Sequence, residues 1–192
     1  MNLGQPIFGP LTDAMRVPDG GDISITSGIH PKAEPEIAFV TGRELRGRIS
    51  REEALGACAQ IAPAIEVLDS RFVGFKYFSL PDVVADNCSS WRFVLGAPQP
   101  AAMATLGSLA ALQLRFHVGG RLAQEAPATA ISGHPIESLV QLVAMLDAVG
   151  QVLPAGSVVL AGAATAAELL VAGQEVVLEV PGLGRASLRA VA

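Results

Sequence analysis

EPEIAFV, at residues 34–40, is an apolar run that predicts a β-strand and yet carries two carboxylates, Glu34 and Glu36. A second apolar run, PAIEVLD at residues 63–69, carries Glu66. Side chains two positions apart in a strand point to the same face, and a neighbouring strand could bring Glu66 to the same point. Burying carboxylates costs free energy unless a cation compensates them, and three acidic oxygen ligands suit Mg²⁺ or Mn²⁺. The two runs predict a divalent-metal site or, alternatively, the salt-bridged polar face of a half-exposed strand.

Composition narrows the class of protein. The 192 residues contain 13 Lys and Arg against 18 Asp and Glu, a net charge of -5, which gives no basic surface for nucleic acid. Charge, Pro or Gly interrupts every apolar stretch before it reaches a length that spans a bilayer. Cys58 and Cys88 form no motif with each other or with a histidine. We therefore expect a cytoplasmic protein that binds neither nucleic acid nor membrane.

Hydrophobic periodicity and turn residues predict an α+β chain that is mostly β, with two helices. Residues 50–53 have the spacing of a capping box and open a short helix over 54–61, and Pro135 opens the main helix at 135–148. Gly119-Gly120 predicts a hairpin between 109–118 and 121–125. The segment 72–90 is expected to be irregular. The remaining strands are predicted at 36–41, around Glu66, and at 92–95, 157–161, 175–180 and 185–191.

Three motifs carry a family resemblance: HPKAEPEIA at 30–38, EVLDSR at 66–71 and VADNCSS at 84–90. They resemble the hydratase/decarboxylase family of aromatic meta-cleavage pathways, within the fumarylacetoacetate hydrolase superfamily. The resemblance extends from QPIFG at 5–9 to GLG at 182–184. It implies a single catalytic domain over 1–192, a mixed-sheet β-roll of the fumarylacetoacetate hydrolase C-terminal type. It also implies that Glu34, Glu36 and Glu66 hold Mg²⁺ or Mn²⁺, which a small-molecule 2-oxo acid chelates.

The family has two branches, and three positions favour one of them. Hydratases often carry an acidic residue where this chain has Ile7, whereas decarboxylases resemble it in Phe75-Lys76 and in the segment around Arg92. A dicarboxylate substrate needs a second cationic contact. The resemblance thus favours decarboxylation of 2-oxo-3-hexenedioate (4-oxalocrotonate) to 2-hydroxypenta-2,4-dienoate, with Lys76 and Arg92 as catalytic and substrate-binding residues. A 2-oxopent-4-enoate hydratase is the alternative.

Other residues are weaker candidates. Ser89 matches a family serine near the substrate and could act in catalysis and substrate binding, although a serine in such a turn can instead cap the local backbone. Thr165 matches a Gly-rich segment that lines the pocket and is a second candidate for substrate binding, with a close-packed turn as the alternative. His30 is expected to be structural, because no second histidine lies at metal-ligand spacing.

Family members carry an N-terminal segment ahead of the motif matched by residues 5–9, and that segment supplies a lysine expected at the substrate. This chain starts just upstream of the motif, so we expect that segment to be absent. A non-catalytic, metal-binding partner subunit is therefore a further hypothesis. The resemblance also predicts a homo-oligomer, or a complex with the sister hydratase.

Overall fold

The computed structural model describes residues 6–192. Predictions on residues 1–5, namely the start of the chain and Gln5 of the motif at 5–9, lie outside this range. The assignment of residues 1–192 to one catalytic domain stays a prediction.

Short strands and few helices make up the described chain. The strands are β1 (Arg16–Val17), β2 (Gly21–Ser24), β3 (Lys32–Thr41), β4 (Cys58–Leu68), β5 (Ser90–Leu95), β6 (Gln99–Pro100), β7 (Gln113–Val118), β8 (Arg121–Pro127), β9 (Val158–Leu160), β10 (Glu168–Leu169), β11 (Glu175–Val180) and β12 (Gly184–Val191). The α-helices are α1 (Arg51–Ala57), α2 (Leu80–Ala85), α3 (Leu106–Ala110) and α4 (Pro135–Ala148).

The strands are arranged in two mixed sheets. The first has the order β1-β5-β4-β3-β10, with β6 paired to β4 and β9 paired to β3. The second has the order β2-β12-β11-β7-β8. The pairs β1/β5 and β2/β12 are parallel, and the other pairs are antiparallel. The predicted mostly-β, mixed-sheet class is confirmed.

Alternation along the strands produces one apolar core between the sheets. Ile37 and Ile65 of the first sheet and Phe116 and Leu178 of the second are fully buried in the same cluster. Burial of each such side chain contributes about 1.5–3 kcal/mol relative to exposure. Side chains alternate along a strand, and Ala33 and Ile37 of β3 point into this core. The residue after Ala33 and the residue before Ile37 therefore point to the opposite face of the first sheet.

The predicted helices and hairpin are present. Ser50 Oγ accepts from the Glu53 amide, and Glu53 Oε2 accepts from the Ser50 amide at 2.7 Å, so the capping box at α1 is confirmed. Helix α4 has the predicted bounds. Gly119 and Gly120 have φ of 59° and 77°, as the tight turn between β7 and β8 requires.

Several boundaries and the number of helices differ from the prediction. Helix α1 ends at Ala57 rather than at residue 61, because Cys58 is already extended and the chain from there pairs with β3. The strand predicted at 109–118 begins at Gln113, since Thr105 caps the short helix α3 in front of it. The segment 72–90 contains helix α2, and with α3 residues 6–192 hold four α-helices rather than two. None of them is long and apolar enough to span a membrane.

Candidate metal centre

Strands β3 and β4 bring the three predicted glutamates together. Glu34 lies directly opposite Glu66 in the antiparallel ladder, and Glu36 lies opposite Ala64. All three side chains therefore leave the same face of the sheet, away from Ile37 and Ile65. One carboxylate oxygen from each glutamate lies within 4.8 Å of the others. We call Glu34, Glu36 and Glu66 the glutamate cluster.

The glutamate cluster is withdrawn from water. Glu36 is 1% exposed, and Glu34 and Glu66 are half-buried. Burial, followed by repulsion from Glu66, raises the pKa of Glu34 to about 8. Burial and the two neighbouring carboxylates raise the pKa of Glu36 well above its ordinary value, and burial raises the pKa of Glu66 as well.

No ion pair compensates the glutamate cluster within residues 6–192. The alternative of a salt-bridged polar strand face therefore does not describe it. Three carboxylates with converging oxygens, one buried and two half-buried, form a donor set that fits a hard divalent cation such as Mg²⁺ or Mn²⁺. A bound cation would supply the positive charge that burial of these groups requires.

Two neighbouring segments orient the ligands. The Gly162 amide donates to Glu36 Oε2 at 2.7 Å, and Gly162 has a φ of 99°, a conformation that favours glycine. Ser90 Oγ, at the start of β5, donates to Glu66 Oε1. Hydrogen bonds of this kind fix the orientation of metal-ligating carboxylates. Thr165 follows in the same segment as Gly162 and is half-buried, with its hydroxyl directed to the Ala166 carbonyl.

Ser89 belongs to a buried network next to the glutamate cluster. Ser89 Oγ, Ser70 Oγ and the Tyr77 hydroxyl donate to Asp86 Oδ2 at 3.0, 2.7 and 3.1 Å. Residues 87–89 all have positive φ, at 52°, 55° and 63°, which is costly for residues other than glycine. The network thus holds a strained turn that ends directly before Ser90. The predicted contact of Ser89 with substrate stays a prediction.

The two predicted cations belong to different elements, Arg92 to β5 and Lys76 to the loop before α2. Arg92 opposes Val67, whereas Phe93 opposes Glu66, so the Arg92 side chain leaves the sheet on the face opposite to the glutamate cluster. Its guanidinium carbon lies 4.6 Å from the centroid of the Trp91 ring. This register argues against direct contact of Arg92 with a ligand on the glutamate cluster. Lys76 is exposed and follows Phe75 in the loop between β4 and α2.

Sequence reasoning missed Ser90 and Lys32. Lys32 stands two positions before Glu34 in β3 and so shares its face, which the two-residue period of the strand could have shown. Its Nζ lies 4.5 Å from the centroid of the Phe75 ring. Ser90 had no local signal, because only the pairing of β5 with β4 brings it to Glu66.

Comparison with known proteins shows the family to which the chain is similar. Residues 4–190 match the family described as Fumarylacetoacetate (FAA) hydrolase C-terminal. The chain is 42% identical over 189 residues to a 4-oxalocrotonate decarboxylase from Pseudomonas sp., which covers 97% of this chain and 71% of that protein. It is 35% identical over 194 residues to a 2-hydroxyhexa-2,4-dienoate hydratase from Comamonas testosteroni, with 98% and 72% covered.

Among solved structures, the chain is similar to the 4-oxalocrotonate decarboxylase from Pseudomonas putida G7 complexed with magnesium and adipate. The TM-score is 0.93 at 34% sequence identity, and the match covers 100% of this chain and 72% of that one. Because the match covers the whole chain, it includes the strands β3, β4 and β5, which carry the glutamate cluster and Ser90.

Proposed function

This chain belongs to the fumarylacetoacetate hydrolase family, and from that membership we propose that it is a metal-dependent 4-oxalocrotonate decarboxylase. The observation that carries the proposal is the glutamate cluster, in which one carboxylate oxygen from each glutamate lies within 4.8 Å of the others. Relatives named as decarboxylases and as hydratases both align along nearly the whole chain, at 42% and 35% identity. A 2-oxopent-4-enoate hydratase is therefore the second candidate.

The glutamate cluster would hold Mg²⁺ or Mn²⁺, and the similar decarboxylase from Pseudomonas putida G7 was solved with magnesium. When bound, the cation supplies a Lewis acid for the C1 carboxylate and 2-oxo group of the substrate. Glu34, Glu36 and Glu66 act as ligands rather than as general acids or bases. Ser90 and the Gly162 amide keep two of the three carboxylates oriented.

In 2-oxo-3-hexenedioate the leaving C6 carboxylate is vinylogous to the 2-oxo group. The electrons of the C5–C6 bond form C4=C5 as CO₂ departs, those of C3=C4 move to C2=C3, and those of the carbonyl move to its oxygen. Protonation of that dienolate gives 2-hydroxypenta-2,4-dienoate. Preorganised positive charge and hydrogen-bond donors in a water-poor site would stabilise such a developing charge by several kcal/mol. The chain supplies such a site through the burial of Glu36 and the small buried side chains of Ala38 and Ala64 beside it.

Substrate-binding roles for Ser89, Thr165 and Lys76 remain part of this proposal. Ser89 lies one residue before Ser90, and Thr165 lies three residues after Gly162, so both flank segments that touch the glutamate cluster. Lys76 is adjacent to Phe75, which contacts Lys32 on the same face of the sheet. Aromatic meta-cleavage catabolism, a cytoplasmic location, a homo-oligomer and association with a sister hydratase are further parts of the proposal.

The test is turnover of 2-oxo-3-hexenedioate by the purified chain with Mg²⁺ and after chelation, followed as release of CO₂. We expect release that depends on the metal and that Glu36→Gln abolishes. Hydration of 2-hydroxypenta-2,4-dienoate without release of CO₂ from the dicarboxylate would replace this proposal by the hydratase. Metal binding with neither reaction would favour a non-catalytic partner subunit.

A further inference from the structure

Lys32 is the cation that β3 places on the face of the glutamate cluster. It lies two residues before Glu34, and the strand continues without a register shift from Lys32 opposite Leu68 to Glu34 opposite Glu66. Two residues of a strand span ~6.6 Å, so the Lys32 backbone lies about that far from the Glu34 backbone along β3. The flexible Lys32 side chain therefore begins close to the glutamate cluster and on its side of the sheet.

No carboxylate of the described residues forms an ion pair with the Lys32 ammonium group. Instead, its Nζ lies over the Phe75 ring at 4.5 Å, and the His30 ring lies 4.7 Å from Phe75 on centroids. An aromatic face orients an ammonium group without satisfying its hydrogen-bond donors. His30 Nε2 is also buried without a hydrogen-bond partner in the described chain.

Phe75 is held for this contact at some cost. Its φ is 58°, a left-handed conformation that a bulky residue seldom adopts. Tyr77, two residues later, is tied to the buried Asp86 network. The contact of Phe75 with Lys32 and the hydrogen bond of Tyr77 to Asp86 hold the loop over 72–78 next to the start of β3. The result is an ammonium group next to the Phe75 ring and a buried imidazole nitrogen without a partner in the described residues, both beside the end of β3 that leads into the glutamate cluster.

We propose that Lys32 binds the distal carboxylate of the substrate and makes the site selective for 2-oxo dicarboxylates, an inference that rests on the function proposed above. Four carbon–carbon bonds of about 1.5 Å separate C2 from C6 of a six-carbon 2-oxo diacid. That length is comparable to the two-residue step from Glu34 to Lys32 along β3. A ligand anchored at the glutamate cluster through its 2-oxo end can therefore reach Lys32 with its other end.

The other cations fit this role less well. Arg92 leaves the opposite face of the sheet and is stacked on Trp91. Arg71 pairs with Asp86 and donates to the Asp69 carbonyl. Lys76 is exposed, and it is the one lysine of the sequence besides Lys32. Removal of the positive charge of Arg92, which points away from the glutamate cluster, is therefore the control for removal of Lys32.

The experiment compares two ligands that differ only in the distal group, 2-oxoadipate and 2-oxohexanoate, by titration calorimetry at saturating Mg²⁺. We expect the wild type to prefer 2-oxoadipate by about tenfold or more, the size of one charge-assisted hydrogen bond. Lys32→Met should abolish that preference and change 2-oxohexanoate affinity less than about twofold. Lys32→Arg should keep the preference, and Arg92→Met, on the opposite face of the sheet, should leave it unchanged.

With 2-oxo-3-hexenedioate as substrate, Lys32→Met should raise KM much more than it lowers kcat, because the contact exists already in the ground state. Persistence of the preference in Lys32→Met, or equal losses for both ligands, would overturn the role of Lys32 while leaving the proposed function intact. A wild-type chain that binds neither oxo acid with Mg²⁺ would overturn the proposed function and this inference together.

Discussion

Replacing Glu34 by Gln should remove a pH-dependent loss of stability that the metal-free glutamate cluster imposes on the fold. The pKa of Glu34 is raised from 4.5 to about 8 by burial and then by Glu66. Below pH 4.5 the carboxyl is protonated in both the folded and the unfolded chain, so it costs nothing. As the pH rises, the unfolded chain loses this proton first while the folded chain keeps it. The free energy of unfolding therefore falls between pH 4.5 and pH 8.

The magnitude follows from the width of that window. The interval from pH 4.5 to pH 7 corresponds to about 3.4 kcal/mol at about 1.36 kcal/mol per pH unit. A stability loss of this size is a large fraction of the 5–15 kcal/mol that is usual for a folded domain. Glu34→Gln cannot ionise, so the metal-free variant should lose about 3 kcal/mol less than the wild type on going from pH 4.5 to pH 7.

Urea unfolding in a chelator at pH 4.5, 5.5 and 7 measures this difference for wild type and Glu34→Gln. The exposed Glu175 provides the matched control, because Glu175→Gln removes a carboxylate outside the glutamate cluster. Addition of Mg²⁺ should reverse the ranking, since the metal stabilises only the wild type strongly and does so more as the pH rises. Parallel pH profiles for wild type and Glu34→Gln without metal would refute the reasoning.

Four further outcomes follow from single residues. Ser90→Ala should weaken Mg²⁺ binding by about tenfold in calorimetry, because Glu66 loses the hydrogen bond that orients it; unchanged affinity would show that Ser90 does not position the ligand. Gly96→Ala should lower the free energy of unfolding by 2 kcal/mol or more, on the order expected of core overpacking, since a Cβ there would lie 2.0 Å from the Arg185 carbonyl oxygen. Gly56 lies in a helix, and a carbon added there would meet no atom of the described residues within 4 Å. Gly56→Ala should therefore stabilise the protein by up to about 1 kcal/mol. Urea unfolding that ranks Gly96→Ala above Gly56→Ala in stability would contradict this packing. Arg92→Met should leave Mg²⁺ affinity unchanged, and a loss of tenfold or more in calorimetry would contradict its placement on the opposite face.

Local sequence sufficed for features that depend on a few consecutive residues. The two-residue period of a strand placed Glu34 and Glu36 on one face before any partner strand was known. Ser50 and Glu53 predicted the start of α1, and Gly119-Gly120 predicted the turn of the β7/β8 hairpin, because capping and tight turns are local backbone chemistry. The unusual presence of carboxylates in apolar runs was enough to predict a metal site.

Pairing between distant segments decided the rest. The opposition of Glu34 and Glu66, the donation from Ser90 and the placement of Arg92 on the far face all follow from the register of β3, β4 and β5. A shift by one residue would have moved every side chain to the other face, and no local signal fixes that register. The end of α1 at Ala57 has the same origin, since hydrogen bonds to β3 extend β4 back to Cys58. The sequence by itself therefore identified Glu34, Glu36 and Glu66 as candidates and placed the first two on one face, whereas only the tertiary structure brought Glu66 to them and decided which neighbours orient the glutamate cluster.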